Sequence, residues 1–361
     1  MESAERYIRR LQIELGRSIA NRKKIYLDLR YWIIARSAAL GVRTDPNASK
    51  LLHFLRRGVA NGALICPIGA GTFSELMKQR FSEGRRIGTA RLIDELSLGV
   101  SIIPTRIVTG TEIARSLHAA ANFPTHDMQE LVWTKVAFVL GDFIPSLPQL
   151  DGQTELELQT GFIDKMWAQT LTDIVLTIGE AWPRHEEFDR LAERITRESA
   201  KHADSLISFE ATYRDEATGL ADGFAATAAE IVAQLASRKG QVYRNHDWHV
   251  QTGICRNLLR SYLSKEDGKR SLKTMWASAV LHASLRWNKG QRFDANDFYD
   301  FDHAAVALSY CDVFLTEGPL RHMITARHVG FDKISECRVI ADLEEAVEFL
   351  REASRPVIQT A

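Results

Sequence analysis

DFYDFDHAAVALSYCDVFLTEG, residues 297–318, sets five acids, Asp297, Asp300, Asp302, Asp312 and Glu317, around the apolar run AAVAL and the short run VFLT. The first run fits a buried helix. The second has the length and the β-branched, aromatic make-up of a strand covered on both faces. The same β/α alternation stands at the other end of the chain. KKIYLDL (23–29) reads as a buried strand ending on Asp28, with a helical pattern from Tyr31 to Leu40 behind it. GALICPI (62–68) leads through Gly69 and Gly71 into TFSELMKQRF, and GVSIIP (99–104) is a further strand. CRVI (337–340) opens into DLEEAVEFLREA, where Asp342 and Glu345 have capping-box spacing and Leu343, Ala346, Val347 and Leu350 share a face.

Strands alternating with helices at both ends imply an α/β fold around one parallel sheet assembled from two distant segments. The stretch between them is mostly helical in pattern. The organisation expected is a discontinuous core over 20–110 and 270–352, a helical insertion over 111–269, and an amphipathic helix over 1–19 carried by Tyr7, Ile8, Leu11, Leu15 and Ile19.

With 361 residues, 45% of them hydrophobic and 25% charged, the chain can bury a substantial core and is not of disordered composition. Lys plus Arg equal Asp plus Glu at 46 each, so any surface for a polyanion must be local. Such a stretch runs from Arg238 to Arg292, where 12 basic residues face 3 acids and Tyr243, Trp248, Tyr262, Trp276 and Trp287 are interleaved. Cations among aromatic platforms suit single-stranded nucleic acid, with Arg244, His246, Trp248, Arg256 and Arg260 as candidate contacts; a solvated helix face over core aromatics explains such a stretch more often. Four scattered cysteines without a CxxC pair fit a reducing cytoplasm. The amino terminus has neither the apolar run of a membrane span nor that of a signal peptide, and no membrane partner is expected.

In a parallel sheet, ligands gather at the carboxyl ends of the strands. Asp28 ends the first strand, Glu75 follows CPIGAG, Asp300 and Asp302 open the helix before VFLT, and Thr316 and Glu317 follow that strand directly. Carboxylates meeting there would repel one another unless a divalent cation neutralised them, and hard oxygen ligands suit Mg2+ or Mn2+.

IYLDL, CPIGAGTFSELMK, DFDHAAVA and YCDVFLTEG together resemble the PIN-like nucleases. Asp28 matches the family's Asp after the first strand, Glu75 its acid in a following helix, and Asp300 with His303, Ala304, Ala305 and Ala307 its helix start. The resemblance implies a three-layer core with a central parallel sheet and a metal-dependent nuclease, with an endoribonuclease expected before a deoxyribonuclease. It further implies Asp28, Glu75, Asp300, Asp302 and Glu317 as metal ligands, Thr316 as orienting the attacking water, 5′-phosphate and 3′-hydroxyl products, and, for the toxin members, an antitoxin-like protein regulator. Two departures stand out. Glu317 follows Thr316 immediately, leaving Gly318 where the family's last acid falls, and the stretch between Glu75 and Asp300 is far longer than in a compact member.

Plainer readings exist for the same residues. Asp28 can cap the helix behind it, Thr72 and Glu75 spell a capping box, either Asp300 or Asp302 can be an N-cap, and His303 can be a packed helix residue. Asp312, at the opposite end of its strand from Glu317, reads as structural. The displaced last acid keeps open a noncatalytic module of the same fold. NHDWH (245–249), with His202, Asp204 or His282, keeps open a His-Asp phosphohydrolase site.

Overall fold

Ile25, Tyr26 and Leu27 in the first strand and Val313, Phe314 and Leu315 in the strand beside it are all sealed from solvent, so both faces of this sheet must be covered. The structure is a computed structural model, and it describes residues 2–42, 45–182, 186–202, 207–240, 248–288 and 293–356. From the amino terminus come α1 (Ala4–Ser18), β1 (Lys23–Leu27), α2 (Leu29–Ala39), α3 (Pro46–Ala60), β2 (Leu64–Ile65), α4 (Ala70–Lys78), α5 (Gly88–Ser97), β3 (Val100–Ile102) and α6 (Thr105–Ala120). Then follow α7 (Met128–Leu131), β4 (Trp133–Lys135), α8 (Gly152–Trp167), α9 (Leu171–Ile178), α10 (Glu186–His202), α11 (Phe209–Arg238), α12 (Trp248–Ser264), α13 (Glu266–Ser271) and α14 (Lys273–Trp287). The chain closes with α15 (Asp297–Tyr310), β5 (Val313–Leu315), α16 (Gly318–Thr325), β6 (Arg338–Ile340) and α17 (Leu343–Ala353).

Four strands form a parallel sheet in the order β2-β1-β5-β6. Strand β3 pairs antiparallel with β4, and a parallel bridge between Ile68 and Ser101 ties that pair to the β2 edge. The chain thus winds outward from β1 through β2 to β3, then crosses back to β5 on the other flank of β1. The order reverses between β1 and β5, and a crevice opens beyond their carboxyl ends at such a reversal. Register there is tight: Leu27 pairs with Leu315, and the Asp28 N–H donates to the Leu315 carbonyl at 3.0 Å. At the other end, Asp312 accepts the Lys24 N–H at 2.7 Å, which is the structural part expected of it.

Alternation along the strands divides the core. Ile25, Leu27, Val313 and Leu315 face a cluster with Trp32 of α2, Leu51 of α3, Ile93 of α5 and Leu350 of α17. Tyr26 and Phe314 point the opposite way, toward Val108 of α6, Ala228 of α11, Val280 of α14 and Ala305 of α15. Helices on both faces of a central sheet give a layered mixed α/β arrangement. The region expected to be a mostly helical insertion also carries β4, whose three residues are too short for a periodicity signal. Helix α1, capped by Ser3, buries Ala4 and Ile8 against Phe138 and Ile163 of α8.

Candidate active site

The crevice between β1 and β5 fills with side chains from four elements. Asp28 is the N-cap of α2, its carboxylate accepting the Tyr31 N–H at 3.2 Å. The cap reading is therefore correct, and among the described residues only the Thr316 hydroxyl stands near the rest of the carboxylate. Burial pushes Asp28 up to about 6, against relief from the positive charge of His303 and from the neighbouring Thr316 hydroxyl. Asp300, half-buried in the first turn of α15, has no hydrogen-bond partner for its carboxylate among the described residues. Burial, with the like charges of Glu75 and Asp28, lifts it to about 7 although His303 pulls the other way. Asp28 and Glu75 thus both lie close enough to Asp300 for their charges to act on it.

Neither Asp300 nor Asp302 caps α15, as the sequence suggested one of them would. The helix begins earlier, at Asn296, so Asp302 lies beyond its first turn. From there Asp302 reaches across to α4: Oδ2 accepts the Gly71 N–H at 2.9 Å, and Oδ1 accepts the Thr105 hydroxyl at the start of α6. Asp302 thus joins three elements, with both oxygens engaged. Each of its oxygens keeps a lone pair beyond these bonds, so the bonds fix the orientation of Asp302 without using up its capacity as a ligand.

The Thr72–Glu75 capping box is likewise overturned. Helix α4 starts at Ala70 with Gly69 as its N-cap, so Thr72 is already inside the helix. Glu75 instead accepts from His303 Nε2 at 2.8 Å. On the far side of the imidazole, Nδ1 lies 2.9 Å from the Tyr26 hydroxyl, which is 3.1 Å from the Thr72 hydroxyl. His303 is fully buried; burial alone would lower its pKa, but the hydrogen bond and charge of Glu75, with Asp302 and Asp28 behind, outweigh it and hold the ring above its ordinary value. An imidazolium donates from both nitrogens, fixing Glu75 on one side and Tyr26 on the other.

Sequence reasoning left His303 as packing, and the structure sets it in the middle of this hydrogen-bonded group. Its adjacency to Asp302 was visible, but its partners lie on α4 and β1. Its raised proton affinity sets a basic group among the acids, and two protein donors hold Asp302. Thr316 is buried beside Asp28, whereas Glu317 sits exposed at the N-cap of α16 without a side-chain capping bond, reaching Asp28 only through its charge.

Other candidates fare differently. Arg244 and His246 lie outside the described residues. Trp248 and Tyr262 pack on the core and Trp276 is buried edge-on to Phe331, so these three are not free platforms for bases. Arg256 is taken by Asp222 at 2.6 Å, and Arg260 is exposed. Of the alternative His-Asp site, Asp204, His246, Asp247 and the side chain of His202 fall outside the described residues, and His282 is stacked on Phe293 with its pKa lowered by burial.

Among the described residues no group of three or more His, Cys, Asp or Glu stands ready-made to hold a metal ion, and no helix is long and apolar enough to cross a membrane. The donor chemistry nevertheless suits a hard cation: a half-buried Asp300 without partners, the buried carboxylate of Asp28, and Oε1 of Glu75 free of hydrogen bonds among those residues. No protein-family model matches the chain, and no curated protein and no solved structure proved similar to it.

Proposed function

We propose that the chain is a metal-dependent nuclease with a PIN-like core, acting on RNA, and that Asp28 and Asp300 hold Mg2+ or Mn2+ with Glu75 completing the set. The observation that carries this reading is the nearness of Asp28 and Asp300, from distant parts of the chain, at the sheet's switch point, where the charge of Asp28 raises the proton affinity of a half-buried Asp300. When bound, such an ion supplies Lewis acidity toward the phosphodiester and an activated water for in-line attack. The chain's own residues do the positioning. The α2 cap fixes Asp28, His303 holds Glu75 in one rotamer, and Tyr26 with Thr72 fixes the ring. Thr316, buried at the end of β5, borders the same spot, and exposed Glu317 marks its rim.

Purified protein is to be incubated with end-labelled RNA in Mn2+, beside Asp28→Asn and Asp300→Asn. Wild type should cleave at least about a hundredfold faster than either variant, given the contribution of directly acting groups. Equal rates would end the nuclease reading. The second reading, a noncatalytic module, rests on Glu317 following Thr316 immediately, with Gly318 where the family's last acid falls. It requires that Mn2+ bind wild type no better than Asp300→Asn, read by electron paramagnetic resonance of the free ion.

A further inference from the structure

Two cavities open beside the acidic crevice, one on each side of α16. The larger, of about 720 Å3, lies within the usual range for a small-molecule site and has Asp300 in its wall. Its lining includes half-buried Trp287 and Met323, with Phe301 and Leu320 beneath, and among the described residues it contains neither Lys nor Arg. The smaller, of about 520 Å3, holds Arg30, Arg321 and His322 at the carboxyl edge of the sheet, next to Gly318 and Asp342. His322 lines both.

Charge separates their uses. The larger cavity has Asp297 and Asp300 on its rim, so a phosphate is repelled from it while a flat neutral ring with polar edges is welcome. The smaller is cationic. Arg321 is engaged by Glu345 at 3.2 Å and Asp342 caps α17, which leaves Arg30 as an exposed guanidinium with no carboxylate partner among the described residues. Trp287 is the one member of the basic, aromatic stretch that reaches a cavity next to the candidate ligands, the other described aromatics being turned into the core.

We infer that the cavity of Trp287 and Met323 receives one unpaired nucleobase of a single-stranded RNA, while Arg30 and His322 take a phosphate of the same strand across α16. This deepens the nuclease reading and rests on it for the substrate's class. The backbone then passes over the rim shared by Asp300 and Glu317. Duplexes are rejected, because a paired base cannot enter a pocket walled on three sides by α14, α15 and α16.

The test uses the full chain carrying Asp28→Asn, so that binding is measured whether or not the protein cleaves. Fluorescent single-stranded RNA is titrated in Mn2+ by anisotropy, with three comparisons: the same strand containing one abasic site at each position in turn, the same strand annealed to its complement, and the added substitutions Trp287→Ala and Arg30→Ala. Stacking of this kind predicts about tenfold weaker binding for Trp287→Ala and for one abasic position, with no further loss when the two are combined. Arg30→Ala should weaken every single strand alike and flatten the salt dependence by about one ion. Trp287→Ala binding as tightly as its parent, abasic strands binding as tightly as intact ones, or duplex binding matching single strand would each overturn the inference. The abasic arm leaves the protein untouched, so it decides the matter even if Trp287→Ala fails to fold. This binding pattern together with a wild-type chain that cleaves no faster than Asp28→Asn sinks the nuclease reading alone.

Discussion

Glu112 on α6 offers a test of the packing logic away from the proposed chemistry. It is fully buried, accepts the Thr274 N–H on both oxygens at 2.9 and 3.2 Å, and receives the Tyr310 hydroxyl. Helix α14 has no capping side chain of its own, so a residue from another helix serves its first turn. Burial pushes Glu112 from 4.5 up to about 7, the hydrogen bonds from Tyr310 and Thr274 opposing. The folded state therefore keeps its proton over a range where the unfolded chain has released it. Stability from this group is complete below about 4.5 and is lost as pH rises toward 7, by about 3 kcal/mol in all. Glu112→Gln keeps an acceptor for the Thr274 N–H and has no charge to bury. Urea unfolding of both proteins at about pH 5 and about pH 8 gives the double difference, which cancels every other titrating group. Wild type should lose about 2–3 kcal/mol relative to Glu112→Gln between those conditions. A difference independent of pH would refute the assignment of a neutral buried carboxyl. Glu112→Ala should cost about 2–5 kcal/mol at either pH, through the orphaned Thr274 N–H and a cavity.

Three further outcomes are expected around the crevice. Asp302→Ala should lower stability by about 2–4 kcal/mol, by orphaning the Gly71 N–H and the Thr105 hydroxyl, whereas Asp300→Ala should be neutral or stabilising at neutral pH; thermal unfolding of the pair reads the contrast. His303→Gln should cost about 2–3 kcal/mol, below the full penalty for breaking a buried ion pair because the Glu75 side chain is 18% exposed, and should raise the carboxyl titrations of Asp28 and Asp300 seen by carbon NMR. Unmoved titrations would remove His303 as the site's counter-charge. A Cβ at Gly71 would stand 3.0 Å from His303 Cε1 and 3.1 Å from Asp302 Oδ2, so Gly71→Ala should displace the ring while gaining helix propensity. Its melting temperature should barely change while its cleavage rate drops severalfold, and an unaltered rate would show that the ring's placement is not critical.

The strands were legible because parallel strands buried on both faces leave short continuous apolar runs: IYL, VFL and RVI all fall where the sequence put them. Asp28 as strand end and cap was legible for the same reason, its chemistry being local. The errors concern residues whose partners are distant. Glu75 three residues after Thr72 looks like a capping box only if the helix starts at Thr72, and nothing local reveals that Gly69 starts it. Asp302 two residues after Asp300 looks like a spare cap, until α15 packs on α4 and presents the Gly71 N–H. His303 could have been found from its place beside two acids on an otherwise apolar helix face, since a fully buried imidazole demands partners for both nitrogens.

Lys24 and Asp312, which hydrogen-bond across β1 and β5, stand 288 positions apart. Asp28 can thus meet Asp300 only after every residue between them has been made. Closing so long a loop is slow relative to local helix formation. A ribosome-bound nascent chain therefore carries the first acid, folded helices and no competent pocket. For an enzyme proposed to cut RNA, this order of assembly keeps the transcript being read safe from its own product.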